Sequence, residues 1–505
     1  MSGQTLTPKK VLQPIDRLAL GIMLVLSLLI SILLLSGDRA APRVRDFSWQ
    51  DKQVGVEDSA FTLTFSRPMN HASVEANLQI NPPIPGKFSW AGRRMAYTFV
   101  SALPYGTKYQ VQLKGAKDQQ FSKNEKKGTA IQPFAGSFST RDRVFAYIGV
   151  DKDEQGRLIL FNLTTQKKVI LTPPDLVVMD FKPYPDGDRI LFSASDRKRQ
   201  EQGLLAQQLY TVTTGLAFQS PDKPKASPEN VGRIDPVLDS KDYQNLQFDL
   251  SADGKTIIVQ RLNRRNPADS GPWILQPDTK PRPLEATGGN FLITPDSNAL
   301  ALLQGQGVAI LPLKPGAKPL DFIPKFGQVL SFARDGSAAA MVQFNADPAQ
   351  PTRSLFLVTN QGVQKELLRT TGSILSCEFA PNKDTLYCLL TQLIKGEEYQ
   401  EEPFFASIDL KAANENKQTL VKPLVVLPNQ RDIQMSLSPD GLALLFDQLG
   451  TRPPAATDNL RTNEGQAIAS GMLWLLPLVE ATPANTTAQV QPEQLLPGFH
   501  PRWLP

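Results

Sequence analysis

The feature that most constrains this chain is a recurring pair of short apolar runs joined by a tight turn. The turns carry Asp or Asn beside Gly, Ser or Lys, and Asx and Gly residues tolerate the positive φ that a tight hairpin needs. Six such hairpins recur, at 181–195, 248–260, 292–304, 331–344, 378–390 and 436–448. A third apolar run follows each of them. A fixed repeat of this kind predicts an all-β chain built from small antiparallel sheets.

The two ends of the repeat region complement each other. Residues 144–150, 157–163 and 168–172 read as second, third and fourth strands without a first, whereas 498–505 reads as a lone first strand. A ring of sheets must close to hide its edge strands, so we expect the C-terminal strand to complete the first sheet. The sequence therefore predicts a seven-bladed β-propeller over 141–505. A six-bladed ring with an irregular pair is the alternative.

These repeats resemble the TolB-type, WD-like β-propeller repeat, in which a Ser-Pro-Asp-Gly turn precedes the second strand of a blade. Ser438-Pro439-Asp440-Gly441 matches that turn fully, and the other repeats match it loosely. The order of the strands supports the resemblance better than any single turn. The resemblance implies a bacterial envelope protein.

Residues 44–140 differ in pattern from the repeats. FTLTF at 61–65 alternates with a period of two, and later runs at 94–99, 106–113 and 136–140 also read as strands of a β-sandwich. This zone resembles the bacterial Ig-like domain of the SbsA type in the order of its motifs, which are Phe65-Ser66-Arg67-Pro68-Met69, Ile80-Asn81-Pro82, Phe88-Ser89-Trp90, Leu103-Pro104-Tyr105-Gly106-Thr107 and Phe138-Ser139-Thr140. The resemblance implies a spacer or adhesion module.

The N-terminal region contains eighteen residues without a charge, from Leu18 to Leu35. At ~1.5 Å per residue they extend ~27 Å as a helix, close to the thickness of a bilayer core. We therefore expect a cytoplasmic tail at 1–17 and a transmembrane signal anchor at 18–36; a cleaved signal peptide is the alternative. Basic residues flank the run equally on both sides. Only the resemblances therefore place the bulk of the chain on the periplasmic, extracytoplasmic side of a single-pass membrane protein.

The long loops between second and third strands should all lie on one face of the propeller, where binding residues usually gather. Their charges are unevenly distributed. The candidate partner-binding residues are Arg197, Lys198 and Arg199 in the second blade, Arg261, Arg264 and Arg265 in the third, and Glu397, Glu398, Glu401 and Glu402 in the sixth. Alternatively, these charges only keep the propeller soluble.

The two cysteines, Cys377 and Cys388, flank the turn of one hairpin. If Asn382 and Lys383 are the loop residues, the cysteines face each other across the first two strands of the sixth blade. That register permits a disulfide. A one-residue bulge would instead turn the side chains to opposite faces, and the pair would be two small buried hydrophobes.

Several function classes lack the residues they need. Two Cys and two His in 505 residues do not suit a zinc finger or a disulfide-rich scaffold. No Gly-x-Ser-x-Gly or phosphate-binding loop motif occurs. The net charge is only +5, and the basic loops lack interleaved aromatic residues, so we expect no nucleic-acid partner.

We therefore expect a non-catalytic protein without metal or cofactor. The prediction is a membrane-anchored, extracytoplasmic binding or scaffold protein that presents a propeller face to an envelope protein or a cell-wall component. Two alternatives stay open. One is a hydrolase or lyase with carboxylates in the propeller channel, and the other is a polysaccharide-binding module with exposed aromatics on one face.

Overall fold

The regular structure of this protein is mostly β-strand, which confirms the predicted all-β class. The computed structural model describes residues 14–35, 41–119, 128–198, 206–216, 229–314, 316–317, 320–345, 347, 351–394, 400–411, 420–430, 432–455, 458, 460–462, 465–478 and 491–505.

Helix α1 spans Pro14–Leu35 at the N-terminal end of the described chain. Of the helices in the described ranges, none combines the length and the apolar character needed to cross a membrane. The predicted transmembrane anchor at 18–36 is therefore wrong. The predicted localisation as a single-pass membrane protein depended on that anchor and is wrong as well. The uncharged run alone extends ~27 Å, which is less than the ~30 Å of a hydrocarbon core, and the rest of α1 includes Asp16 and Arg17.

An Ig-like sandwich of two four-stranded sheets follows α1. The first sheet has the order β1 (Val44–Phe47), β3 (Ala60–Phe65), β6 (Arg94–Phe99) and β5 (Gly86–Ala91). The second has the order β2 (Gln53–Val54), β8 (Phe134–Thr140), β7 (Lys108–Leu113) and β4 (Leu78–Asn81). The short helix α2 (His71–Asn77) lies between β3 and β4 in the chain.

The sandwich core forms because alternate residues of each strand point inward. Strand β3 shows the pattern, since Phe61, Leu63 and Phe65 are fully buried while the residues between them are not. Tyr109 of β7 stacks on Phe138 of β8 with ring centroids 4.9 Å apart. Aromatic contacts of this kind fill the space between the two sheets.

The rest of the described chain forms seven further four-stranded sheets, which are the blades of a propeller. Blade 1 contains β36 (Phe499–Trp503), β9 (Val144–Ile148), β10 (Leu158–Asn162) and β11 (Lys167–Ile170); blade 2 contains β12 (Leu176–Pro183), β13 (Arg189–Asp196), β14 (Gln208–Thr213) and β15 (Ile234–Leu238). Blade 3 contains β16 (Tyr243–Leu250), β17 (Ile257–Asn263), β18 (Ser270–Leu275) and β19 (Arg282–Pro283); blade 4 contains β20 (Phe291–Ile293), β21 (Ala299–Gln304), β22 (Gly307–Pro312) and β23 (Asp321–Pro324).

Blade 5 contains β24 (Phe326–Phe332), β25 (Ala338–Asn345), β26 (Thr352–Thr359) and β27 (Gln364–Thr370); blade 6 contains β28 (Ile374–Phe379), β29 (Thr385–Ile394), β30 (Gln400–Asp409) and β31 (Val421–Val426). Blade 7 contains β32 (Met435–Leu437), β33 (Ala443–Arg452), β34 (Ala467–Pro477) and β35 (Glu493–Pro497). The strands named first in each blade contact their neighbours around the ring and line a central channel. The described residues thus form seven blades rather than the alternative six.

The C-terminal strand β36 closes the ring. It pairs antiparallel with β9, with Phe499 opposite Ile148 and Trp503 opposite Phe145, so the predicted pairing of the two chain regions is present. Backbone N–H groups of β36 also bond to blade 7, where Asp447 Oδ2 accepts from His500 at 2.7 Å. The last strand therefore joins the first and last blades.

The turns between first and second strands meet their neighbours on one face, which we call the turn face. Gly441 has a φ of +73°, and a Cβ at this position would lie 2.6 Å from Cδ of Pro381 in the turn of blade 6. Only glycine suits both the backbone conformation and that close approach. The opposite face, which carries the second-to-third connections, we call the loop face.

Cys377 and Cys388 face each other in the predicted register of β28 and β29. Their Cα atoms are 4.1 Å apart, and the two sulfur atoms form a disulfide. Both side chains are buried in the core between blades 5 and 6.

Candidate functional site

Five neighbouring blades enclose one cavity where the channel opens on the turn face. Its volume is about 430 Å3, within the range of small-ligand sites. Each of blades 3 to 7 contributes a turn residue to its rim, namely Ala252, Pro295, Arg334, Pro381 and Ser438. We call this cavity the turn-face chamber.

The wall of the turn-face chamber is largely apolar with a few polar groups. The apolar side chains are Leu250, Leu292, Ile293, Leu330, Phe332, Phe379 and Leu437, and the polar ones include Asp249, Ser331 and Glu378. A second cavity of about 240 Å3 adjoins it and shares Leu292 and Leu330. Those two leucines therefore divide the channel.

Aligning the hairpins on their turns shows that one residue near the end of each first strand lies at a common level of the channel. Each hairpin has a positive-φ residue in its turn, and the residue five positions earlier lies near the end of the first strand. Those earlier residues are Lys182, Asp249, Leu292, Ser331, Glu378 and Ser436 in blades 2 to 7. Sequence reasoning missed this set, although the same alignment of repeats would have found it.

Glu378 is the second carboxylate that lines the chamber, beside Asp249. Its Oε2 accepts a hydrogen bond of 3.1 Å from the backbone N–H of Leu437 in the next blade. Among the described residues, no ion pair involves its carboxylate. Burial raises the pKa of Glu378 to about 7, while the Leu437 bond and the charge of Arg502 pull it down. Glu378 therefore changes charge near neutral pH.

Asp249, by contrast, is neutralised within the protein. Its Oδ2 accepts a 2.8 Å bond from the backbone N–H of Ile293, and its Oδ1 forms an ion pair with Lys182 of blade 2. This pairing spans two blades and offsets the cost of desolvating both charges.

A third group of charges ties the closing strand to blade 2. His500 Nε2 lies 3.0 Å from Asp180 Oδ1, and Arg502 Nη2 lies 3.6 Å from the same oxygen. Burial favours a raised pKa for Asp180, but the hydrogen bond to His500 and the positive charges of Arg502 and Lys182 outweigh it and hold that pKa below its usual value. The pKa of His500 is lowered, mainly by its own burial. These three residues satisfy one another.

The Ig-like sandwich docks on the turn face beside the chamber. The backbone N–H of Tyr105 donates a 2.9 Å bond to Asp440 Oδ2 in the Ser-Pro-Asp-Gly turn of blade 7, and Arg143 Nη2 lies 3.4 Å from the same oxygen. Ser438, which lines the chamber, donates to the other oxygen of Asp440 at 2.5 Å. The Asp440 side chain is only 1% exposed, so the contact is a buried interdomain bond.

Arg334 stands between the chamber and the Ig-like sandwich. It is exposed in the turn of blade 5 and has no hydrogen bond or ion pair within the described part of the chain. Burial raises the pKa of the Tyr105 hydroxyl, and the positive charges of Arg141 and Arg334 oppose that shift. The guanidinium is thus near both the second domain and the chamber.

Of the predicted basic residues in blade 2, Arg197 serves the fold. Its guanidinium donates to the backbone oxygens of Pro174 and Gln155 at 2.7 and 2.6 Å, which ties blade 2 to blade 1. Lys198 is exposed. Three further candidates, Arg199, Glu397 and Glu398, lie outside the described residues.

In blade 3, the predicted loop position of Arg261 is wrong. Arg261 lies inside β17, is 6% exposed, and sits 4.5 Å from the ring centre of Tyr243 and 4.9 Å from that of Trp273. Cation–π contacts on adjacent strands hold the guanidinium in the sheet. Arg264 and Arg265 are exposed in the connection between β17 and β18. Asp175 and Asp196 line the same groove as Arg264, so its charge is mixed.

The predicted loop positions of Glu401 and Glu402 are also wrong, since both lie in β30. Glu401 Oε2 accepts a 2.5 Å bond from the Thr391 hydroxyl, and Glu402 Oε2 accepts a 2.9 Å bond from Gln392 Nε2. The hairpin of blade 6 is longer than its loop pattern indicates, because cross-strand polar pairs extend the ladder. A partner-binding role for the predicted loop residues stays a prediction.

Within the described residues, no three His, Cys, Asp or Glu side chains are grouped closely enough to hold a metal ion. The absence of a cofactor stays a prediction. In chemical terms, the site offers a half-buried carboxylate, an exposed guanidinium and an apolar wall. It can therefore hold a ligand by charge and by apolar contact.

Comparisons with known proteins agree with both domain types. Residues 38–140 match the family model of the bacterial Ig-like domain, which confirms that resemblance. No curated protein sequence matches the chain.

Solved structures similar to the chain include TolB-type propellers. TolB from Acinetobacter baumannii shares 11% identity over 85% of this chain and 83% of its own, with a TM-score of 0.40. An oligogalacturonate lyase from Vibrio parahaemolyticus shares 11% identity over 58% of this chain and 80% of its own, with a TM-score of 0.41. Similarities this distant do not identify a function.

Proposed function

We propose that this chain is a non-catalytic binding protein that holds its partner at the turn face of the propeller. The observation that carries the proposal is the turn-face chamber, which is open and lies beside a docked Ig-like sandwich. Its wall offers both charge and apolar surface, the combination that orients and holds a ligand. The partner class expected from the family resemblance, an envelope protein or a cell-wall component, stays a prediction.

The turn face suits this role better than the loop face predicted from sequence. Arg197, Arg261 and Glu401 make hydrogen bonds or ring contacts within the protein, so their polar groups are already satisfied. Arg334 and Glu378 at the turn face still have hydrogen-bonding capacity for a ligand. An unsatisfied polar group gains more from a new partner than a satisfied one does.

A hydrolase or lyase is the second candidate, because Glu378 has the properties of a general acid or base. Its pKa of about 7 matches neutral pH, and the carboxylate of Asp249 lines the same chamber. However, Asp249 is paired with Lys182 and Asp180 with His500, so neither carboxylate is available as a second catalytic group. We therefore favour binding over catalysis.

The polysaccharide-binding alternative gains little support. The large aromatic side chains exposed in the described propeller are Phe322 and Phe344, which lie in β23 of blade 4 and β25 of blade 5. Phe344 packs over Gly327 of its own blade. Phe322 likewise packs over Gly307 of its own blade.

A photo-crosslinking amino acid tests the proposal in cells that produce the full chain. Placed at Ala252, which is exposed on the rim of the chamber, it should form a covalent adduct with the partner, and the matched variant at Arg265, exposed on the loop face, should not. Adducts formed only from position 265, or from neither position, would contradict the proposal. A partner recovered cleaved from the Ala252 variant, but intact when Glu378→Gln is added, would support the enzyme instead.

A further inference from the structure

Most of the described charged residues around the channel mouth form ion pairs with one another, and two of them do not. Lys182 is paired with Asp249, and Arg502 and His500 with Asp180. Two charged residues that line the turn-face chamber have no ion pair within the described part of the chain. They are Glu378 and Arg334, one of each sign.

These two residues come from adjacent blades and line the same cavity. Glu378 is the penultimate residue of β28 in blade 6, and Arg334 lies in the turn that follows β24 in blade 5. The apolar side chains of Leu330, Phe332 and Phe379 line the chamber with them. The site therefore offers an anion, a cation and an apolar surface.

A half-buried carboxylate gains from a charged donor. Within the described residues, Glu378 accepts one hydrogen bond, at Oε2 from a neutral backbone N–H. A hydrogen bond that involves a charged group is roughly twice as strong as one between neutral groups. A cationic donor such as an ammonium group also cancels the charge of the carboxylate.

We propose that the turn-face chamber binds a short peptide with two free ends, whose terminal ammonium contacts Glu378 and whose terminal carboxylate contacts Arg334. Its side chains would pack against the apolar wall. This inference rests on the proposed binding function and names its ligand class. A guanidinium holds a carboxylate through paired N–H donors, which a lone ammonium does not.

The size of the cavity limits the length of the peptide. A volume of about 430 Å3 corresponds to a sphere ~9 Å across. An extended chain advances ~3.3–3.6 Å per residue, so two or three residues fill that length. We therefore expect a dipeptide or tripeptide with apolar side chains.

Isothermal titration calorimetry on the full chain tests this with the tripeptide Leu-Ala-Leu. Three forms are compared, one with free ends, one acetylated at the N-terminus and one amidated at the C-terminus. We expect each blocking group to weaken binding tenfold or more, a loss of about 1.4 kcal/mol or more, because each removes one charged contact.

Two variants assign each end of the peptide to a residue. Glu378→Gln keeps an acceptor for Leu437 and should abolish the effect of acetylation while the effect of amidation persists. Arg334→Gln should do the reverse, and Arg265→Gln on the loop face should change neither. A misfolded variant would lose both effects together, so the crossed pattern is specific to the site.

Equal binding of the free and blocked peptides would overturn the ligand class and leave the proposed binding function standing. No binding of any form would also overturn it, and the crosslinking result would then decide the broader proposal separately.

Discussion

Shortening Trp503 to alanine tests whether the C-terminal strand holds the propeller ring closed. Trp503 is 7% exposed in β36, and its ring meets the ring of Phe145 edge-on at 5.6 Å. Removing a buried aromatic side chain costs ~3–5 kcal/mol, from lost burial and the cavity left behind. The edge-on contact accounts for ~0.5–1.5 kcal/mol of that loss. We expect Trp503→Ala to destabilise the closure by that amount.

Trp503→Phe is the matched control because the indole also carries a cost. Its Nε1–H is buried without a hydrogen-bond partner among the described residues. An unsatisfied buried donor costs ~1–3 kcal/mol, which phenylalanine removes. The smaller ring loses some burial, so the two effects oppose each other. We expect Trp503→Phe to lie within ~1 kcal/mol of the original protein.

Hydrogen exchange of the peptide covering 144–150 is the assay, since β9 is the direct partner of β36. Opening the closing strand exposes the amides of β9 to exchange, and a loss of ~3–5 kcal/mol accelerates that opening by two orders of magnitude or more. Unchanged protection in Trp503→Ala would refute the closure reasoning. Equal loss in both variants would refute the role assigned to ring volume.

Three further predictions concern other parts of the molecule. Reducing the Cys377–Cys388 disulfide, which closes a loop of about twelve residues, should lower the free energy of unfolding by up to ~3 kcal/mol in urea titrations; two free thiols in unreduced, denatured protein would contradict the bond. Asp440→Ala removes the acceptor for the Tyr105 N–H, so small-angle scattering should show a looser arrangement of the two domains, and an unchanged profile would contradict the interdomain role. Burial raises the pKa of Glu378 to about 7, which favours the protonated carboxyl in the folded state. The contribution of Glu378 to the free energy of unfolding is therefore fully present below pH ~4.5. It is lost, by up to ~3 kcal/mol, as the pH rises through about 7. Glu378→Gln should flatten the decline of the free energy of unfolding with pH in urea titrations. Identical pH profiles for the two proteins would contradict this role of Glu378.

Much of the strand pattern could be predicted because it depends on local chemistry. Turn residues and a period of two set the register of each hairpin, and Cys377 and Cys388 face each other as that register requires. The missing first strand at 141 and the surplus strand at the end predicted the pairing of β36 with β9. Neither inference needed knowledge of distant contacts.

The same reasoning failed where the length of a strand, or the side chains packed around a residue, decided whether that residue lies in a strand or in a loop. Glu401 and Glu402 extend a ladder beyond its expected end, and Arg261 is held in its strand by two aromatic rings. Charge on a connecting segment therefore did not indicate exposure. The apolar run at 18–36 shows the limit of a length criterion taken close to its threshold.

The sequence by itself determined the register of the hairpin that holds Cys377 and Cys388, since hairpin register follows from neighbours a few positions apart. It also determined how the ring closes, since a ring of sheets must hide its edge strands. Only the tertiary structure decided which charges meet in the channel. Lys182 and Asp249 belong to different blades, as do Asp180 and His500, and only packing around the ring brings each pair together. Charge pairing and pKa depend on those distances, and so the turn-face chamber and its unpaired Glu378 could be found only once the blades were in place.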